Sequence, residues 1–481
     1  MRYALITVLI VAAFLRLYHL ESFPPGLYPD EAMNGNNALE AIETGNFKVF
    51  YPENNGREGL FINIQALALW ITNTHEPWVL RSVSALMGIL TILALYWCGA
   101  TLFNRYVGLF SAVLGATSYW HLTFSRIGFR AIMAPLVFTI AVTLIWKLSE
   151  RIRLQYSLDW WRIVLAGAVY GLGFHTYIAY RLTPLLILPI LFLFFIYAIR
   201  HHAVRSFLRI LVLYGVGVAI IIAPLVLYFV GHPAELSTRT NELTVWQAPH
   251  PVTTTLHNTA QTLGMLIWEG DHNWRHDIPG QPVLLLLPAL LFALGTILLA
   301  VRGIQKKQLS RLSLLLGWVV VGLLPGILAN EGVPHALRTL LAFPPLMILA
   351  GYGLYVAYSF ITDRISKHTA HVFTVVISIV LAAQAAYLYF VIWAPSTHTF
   401  NAFNGGDVAL ARHINALPSN HDPVYIVLPH EDVTARGIPI RAQTIMFLTN
   451  TFLLEGQHQK HIFYVTDTAQ IPETALVFSL N

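Results

Sequence analysis

The sequence predicts a mainly α, polytopic membrane helical bundle of about eleven transmembrane helices, followed by a small extracytoplasmic α/β module. Three observations carry this reading. The 481 residues are 56% hydrophobic and only 11% charged, with mean hydropathy +0.60, whereas soluble domains carry about 25% charged residues. Apolar runs of about 20 residues, the length that crosses a bilayer, recur along the chain. The Lys and Arg residues between those runs gather in alternate connections, as in cytoplasmic loops.

Taken in order, the candidate spans are 3–20, 79–101, 107–124, 127–147, 162–180, 182–200, 207–230, 283–301, 312–329, 337–360 and 371–394. The first reads as an uncleaved span, because no small-residue cleavage site follows it and Arg16 and His19 interrupt the signal-peptide pattern. Residues 60–74 are short and carry Asn63 and Gln65 among Phe61, Ile62, Ile64, Leu67 and Trp70, which suits a helix lying in the interface. With Arg2 inside and 60–74 flat, Arg105, the cluster Lys147, Arg151, Arg153 and Arg162, and the cluster Arg200, Arg205 and Arg209 fall on one side. Arg302, Lys306, Lys307, Arg311, Arg364 and Lys367 join them, leaving the C-terminus on the other side. Segments 21–78 and 231–282, the tips near Arg126 and Arg181, the turn 330–338 and the tail are then extracytoplasmic.

This divides the chain into a membrane domain, 1–394, and a tail module, 395–481. In the tail, Asp407 to Leu417 has the pattern of an amphipathic helix, and Val424 to Leu428, His461 to Val465 and Ala475 to Leu480 read as strands. The net charge of +5 is accounted for by the basic loops and does not call for nucleic acid. Cys98 is the single cysteine, so neither an intrachain disulfide nor a cysteine metal site can form. There is no Walker-type phosphate loop, no His-Glu-x-x-His and no Gly-x-Ser-x-Gly, which argues against ATP chemistry, a zinc protease and a serine hydrolase.

Five constellations can carry chemistry. Asp30-Glu31 follows Pro24-Pro25-Gly26-Leu27-Tyr28-Pro29 at the lip of the first span. A carboxylate there can act as general base toward an acceptor hydroxyl, and the same acids can stabilise a helix N-terminus. Gly56-Arg57-Glu58-Gly59 offers Arg57 for a phosphate and Glu58 for a sugar hydroxyl, or forms a turn with an exposed ion pair. Ser125 to Arg130 and Phe174 to Arg181 place arginines at an outer boundary, where they can bind phosphate bidentately or snorkel to headgroups. In Gly270 to Gly280, Trp274 can stack on a sugar while Arg275 and His276 hydrogen-bond it, and Asp271, His272, His276 and Asp277 can ligate a divalent metal. In Asn330 to Arg338, Arg338 and His335 are candidates for the donor phosphate and a neighbouring contact, or for a turn that caps the next span.

Together, and in this order, these segments with the flat helices expected at 32–44 and 60–74 and Arg81 beyond them resemble the GT-C superfamily of membrane glycosyltransferases. The resemblance is to bacterial proteins similar to protein O-mannosyltransferases and the lipid A aminoarabinose transferase, and it covers most of 1–394. It implies an inverting glycosyltransferase of the cell envelope, probing the outer face of what would be a bacterial inner membrane. A sugar such as a mannosyl group would pass from a polyprenyl-phosphate carrier to a hydroxyl of a protein, lipid or glycan. It also implies Asp30 as base, Glu31 as an acceptor or supporting contact, and Arg57, Arg126, Arg181 and Arg338 as phosphate ligands. Glu58, Tyr177, Asp271, His272, Trp274, Arg275, His276 and His335 would contact substrate. No cofactor is required for a phosphate leaving group, though a divalent metal can be accommodated. Two other classes compete: a transporter or flippase of lipid-linked sugars, and a structural assembly subunit presenting the tail. The acids gather in loops rather than inside spans, which favours the enzyme. The tail lacks the carbohydrate-binding repeats of eukaryotic O-mannosyltransferases, so it does not specify an acceptor.

Overall fold

The computed structural model describes residues 1–153, 159–236, 244–305, 309–418, 421–429 and 433–480; the side chain of Arg153, together with Lys306 and Lys307, lies outside the described residues. Among the described residues, eight helices are long and apolar enough to cross a membrane. They are Pro77–Leu102, Arg130–Arg151, Ile178–Arg200, Val204–Gly231, Leu286–Gln305, Ser310–Ile327, Leu340–Arg364 and Lys367–Trp393. The other three expected spans are shorter regular helices, Arg2–Leu17, Arg105–Ala116 and Trp160–Leu172. The second of these stops at Thr117 and resumes as Tyr119–Phe124, where the Ser118 hydroxyl caps the new start. Gly59–Thr72, expected to lie flat, has 14 residues and spans only about 21 Å, short of a bilayer core of about 30 Å.

Contacts divide the chain into two compact units. One contains Met1–Arg16, Ala85–Ser125 and Arg130–Tyr389. Here small residues let helices approach closely, as membrane helix packing requires. A Cβ on Gly167 would meet the Tyr214 carbonyl oxygen, and one on Gly217 would meet that of Val164, so Trp160–Leu172 and Val204–Gly231 touch backbone to backbone.

The other unit contains Leu17–Ser84, Arg126–Phe129 and Phe390–Asn481. Its first helix, Pro29–Thr44, begins with Pro at its first position and acids in its first turn, and ends at Gly45, whose φ of 69° is left-handed. A short antiparallel hairpin follows, Phe50–Tyr51 against Arg57–Glu58. Asn54, Asn55 and Gly56 turn it with φ of 53°, 60° and 78°, conformations that asparagine and glycine tolerate best. The tail forms the expected α/β module. Val424–Val427 is the central strand, with Ile462–Val465 and Leu476–Ser479 parallel on either side. Its core includes Val424, Ile426, Met446, Ile462 and Leu480, and also Met33 from helix Pro29–Thr44. Phe447 packs in turn with Leu27, Leu39 and Leu80. The tail and the first loop therefore share apolar cores.

Candidate active site

The adjacent acids face different surroundings. Glu31 has a fully buried side chain, 3.1 Å from Arg81 Nε, and its Oε2 also accepts from Gly128 N at 2.7 Å. Arg81 donates further to the carbonyl oxygens of Pro24 at 2.6 Å and Gly26 at 2.7 Å. Glu31 thus ties three chain segments together, and burial leaves it no open face toward an acceptor. Of the two roles expected for Glu31, acceptor contact or supporting contact, this setting is that of a supporting residue. Asp30 remains partly accessible in the first turn of its helix, where Asn54 Nδ2 donates to Oδ1 at 2.6 Å. The Asn-Asn-Gly turn of the hairpin supplies that amide.

Arg57 and Arg126 are both enclosed. Arg57 is buried, donating to Glu53 O at 3.2 Å, Asn34 Oδ1 at 2.7 Å and Asn37 Oδ1. Arg126 is buried too, donating through Nη2 to Tyr18 O at 2.7 Å and Phe23 O at 3.1 Å, with its guanidinium 5.0 Å from the Phe390 ring centre. Both guanidinium groups brace backbone turns, so the geometry does not present them as open phosphate sites. Glu58 is buried at the N-terminus of Gly59–Thr72.

In the other unit, the loop 271–280 and the turn 330–338 meet through Asp271. Its Oδ2 lies 2.7 Å from His276 Nδ1, accepts from Ala336 N at 2.9 Å, and stands 4.0 Å from His335 Nδ1; Oδ1 accepts from Asn273 N at 2.8 Å. The Ala336 carbonyl accepts from Trp120 Nε1 at 3.1 Å. Ala336 is therefore bonded on both faces of its backbone. Asp277 is fully buried, and its Oδ2 has no hydrogen-bond partner among the described residues. Burial pushes its carboxyl well above the usual carboxylate range, and the charge of Asp271 adds to that rise.

Asp271, His276 and His335 offer three ligand atoms within 4.8 Å of one another. One oxygen and two imidazole nitrogens suit a divalent ion of the zinc type. The metal set expected from the loop alone changes accordingly. His272 points outward to Glu269 at 3.1 Å, Asp277 is not in the group, and His335 supplies the third ligand from the neighbouring turn. Trp274 and Arg275 are partly buried, and Arg275 donates through N and Nε to Asn273 Oδ1 at 3.0 and 3.1 Å. Tyr177 is buried under Arg130, whose guanidinium lies 5.5 Å from its ring centre. Arg181 and Arg338 are partly exposed and donate to the carbonyls of Leu236 at 3.1 Å and Glu331 at 2.8 Å.

Sequence reasoning missed Asn34, Asn37, Asn54 and Trp120 as site residues. The asparagines gave one signal, since three of them at 34, 36 and 37 are unusual in a buried helix. Trp120 lay inside an apolar run and gave none.

Comparison with known proteins agrees with this architecture. The family model of dolichyl-phosphate-mannose-protein mannosyltransferases matches residues 60–229, about a third of the chain. No curated protein matches by sequence. Among solved structures, ArnT from Cupriavidus metallidurans bound to undecaprenyl phosphate aligns over 96% of this chain and 88% of its own, with 13% identity and a TM-score of 0.54. The archaeal oligosaccharyltransferase AglB from Archaeoglobus fulgidus, in complex with an inhibitory peptide and a dolichol-phosphate, aligns over 93% of this chain and 63% of its own, with 14% identity and a TM-score of 0.53. A complex of the Archaeoglobus fulgidus oligosaccharyltransferase with Zn and sulfate aligns over 97% of this chain and 62% of its own, with 14% identity and a TM-score of 0.54. The family model thus matches the 60–229 segment, and at 13–14% identity the likeness to the solved structures is one of fold.

Proposed function

We propose that the protein is an inverting glycosyltransferase that takes a sugar from a polyprenyl-phosphate carrier and passes it to a hydroxyl on the extracytoplasmic face of a bacterial inner membrane. The observation that carries this reading is the division of labour between the two acids. Glu31 is locked to Arg81, while Asp30 keeps an accessible carboxylate oriented by Asn54. A base must be held in place and still reach its proton, and Asp30 meets both requirements.

Asp30 would remove the proton of the acceptor hydroxyl as its oxygen attacks the anomeric carbon. The lipid phosphate leaves with the bonding electrons and is stabilised by cations rather than by a strong acid. Arg181 and Arg338 are assigned to that phosphate, because both are partly exposed whereas Arg57 and Arg126 are enclosed. Trp274, Arg275 and His335 are assigned to sugar or acceptor recognition. The chemistry requires no cofactor. A divalent ion held by Asp271, His276 and His335 would fasten the loop 271–280 to the turn 330–338. The structural relatives support a lipid-phosphate donor, since ArnT was solved with undecaprenyl phosphate and AglB with a dolichol-phosphate.

The test is transfer from a synthetic polyprenyl-phosphate sugar in membranes carrying the full chain. Asp30→Asn should cut transfer by roughly 10²–10⁴-fold while leaving the unfolding temperature unchanged. Undiminished transfer in that variant would remove Asp30 from the mechanism.

A further inference from the structure

A cavity of about 930 Å³ opens among the helices Met133–Arg153, Pro184–Arg200 and Ser310–Ile327. Most of its wall is apolar, with Ile145, Leu186, Ile190, Leu314 and Leu324 among the lining residues. Polar groups collect at one end, where Glu150 and Arg311 both line the space. Arg311 to Leu324 covers 13 steps of helix, about 20 Å, which is comparable with the depth of one leaflet and its headgroup region.

The two charged groups flank one indole without pairing. Trp146 Nε1 donates to Glu150 Oε1 at 3.0 Å, and the Arg311 guanidinium lies 6.0 Å from the Trp146 ring centre and 5.6 Å from that of Phe103. Arg311 Nε is buried without a hydrogen-bond partner, and no ion pair joins Arg311 to a carboxylate among the described residues. A partly buried guanidinium flanked by ring faces, with its Nε buried and unbonded among the described residues, gains from an anion, and a carboxylate beside it gains from a donor cation. An apolar slot one leaflet deep, ending in a separated cation and anion, complements a lipid with acyl chains and a zwitterionic head.

We propose that this cavity binds an aminophospholipid such as phosphatidylethanolamine, with its phosphate at Arg311, its ammonium at Glu150 and an acyl chain along Ser310–Ile327. The site is separate from the proposed chemistry. Ser310–Ile327 is 18 residues, about 27 Å long, and its far end leads to the turn carrying His335 and Arg338. The inference goes beyond the transfer reading and stands or falls independently of it.

The test uses the purified full chain, stripped of lipid in detergent, with binding read by native mass spectrometry and thermal unfolding. Phosphatidylethanolamine should bind and raise the unfolding temperature, and phosphatidylglycerol should bind about tenfold more weakly, the size of one charge-assisted contact. Glu150→Gln should erase that preference, while Arg311→Lys, and more fully Arg311→Ala, should weaken both lipids. Equal binding of the two lipids to the unaltered protein would overturn the proposal, as would unchanged binding in the variants. Displacement of phosphatidylethanolamine by an equimolar polyprenyl phosphate would also overturn it, by giving the cavity to the carrier.

Discussion

The first loop and the loop 271–280 neutralise their charges in opposite ways. In the first loop and the tail packed with it, charges are cross-braced: Glu31 with Arg81, Arg57 with Asn34 and Asn37, and Arg436 with Glu40 and Glu53. In the loop 271–280, Asp271 is held by backbone N–H groups and an imidazole, and Asp277 keeps one buried oxygen unbonded among the described residues. The first arrangement fixes a backbone and leaves Asp30 as the accessible acid of the Asp-Glu pair. The second gathers groups whose protonation or ligation can change. A rigid support for the proposed base and a polar loop of mixed partners are different demands, and the two regions meet them with different chemistry.

The contrast is broken most severely at its two acids. Asp30→Asn should cut transfer by roughly 10²–10⁴-fold, the usual contribution of a general base, with no change in unfolding temperature. Arg81→Ala should do the reverse, lowering stability by about 3–5 kcal/mol because Glu31 is left buried and unpaired. Thermal unfolding and transfer measured on the same preparations separate the two. If Arg81→Ala unfolds at the original temperature, the brace is not what holds the first loop.

The second region should respond more weakly. Asp271→Asn keeps much of the side chain's volume but weakens the contacts to Ala336 N and His276, a loss of about 1–3 kcal/mol. Zinc offers a sharper probe. Metal retained after dialysis, measured by elemental analysis, should be present in the unaltered chain and absent from His276→Ala and His335→Ala. Retention unaffected by both changes would exclude these three residues as its ligands.

The helical membrane fold was legible because long apolar runs are a strong, additive signal. The tail's strands announced themselves through runs such as Val424-Tyr425-Ile426-Val427, which alternate between buried and half-buried positions as one face meets a core. The sharing of Met33 and Phe447 between loop and tail was not legible, because hydrophobicity does not name its partner. The enclosure of two arginines was not legible either. Arg57 and Arg126 had the right type for phosphate, but carbonyls and asparagines from elsewhere in the chain enclose them. His335 was read as a substrate contact because its proximity to Asp271 arises only when two loops distant in sequence meet.

The smallest expected effect tests how the first loop meets the tail. His75, at the end of the first loop, feels the charge of Lys460 in the tail, and its ring lies 6.4 Å from that of Phe447. Burial lowers its pKa below 6.5, the positive charge of Lys460 lowers it further, and Glu43 opposes them. The neutral ring is therefore favoured by folding. Its contribution is fully present above the unfolded value of 6.5 and is lost as pH falls through the lower folded value. Unfolding temperature should thus decline between pH 7 and pH 5 partly through this residue, and His75→Gln should flatten the decline without altering stability above pH 7. An unchanged slope would mean that protonating His75 does not strain the junction.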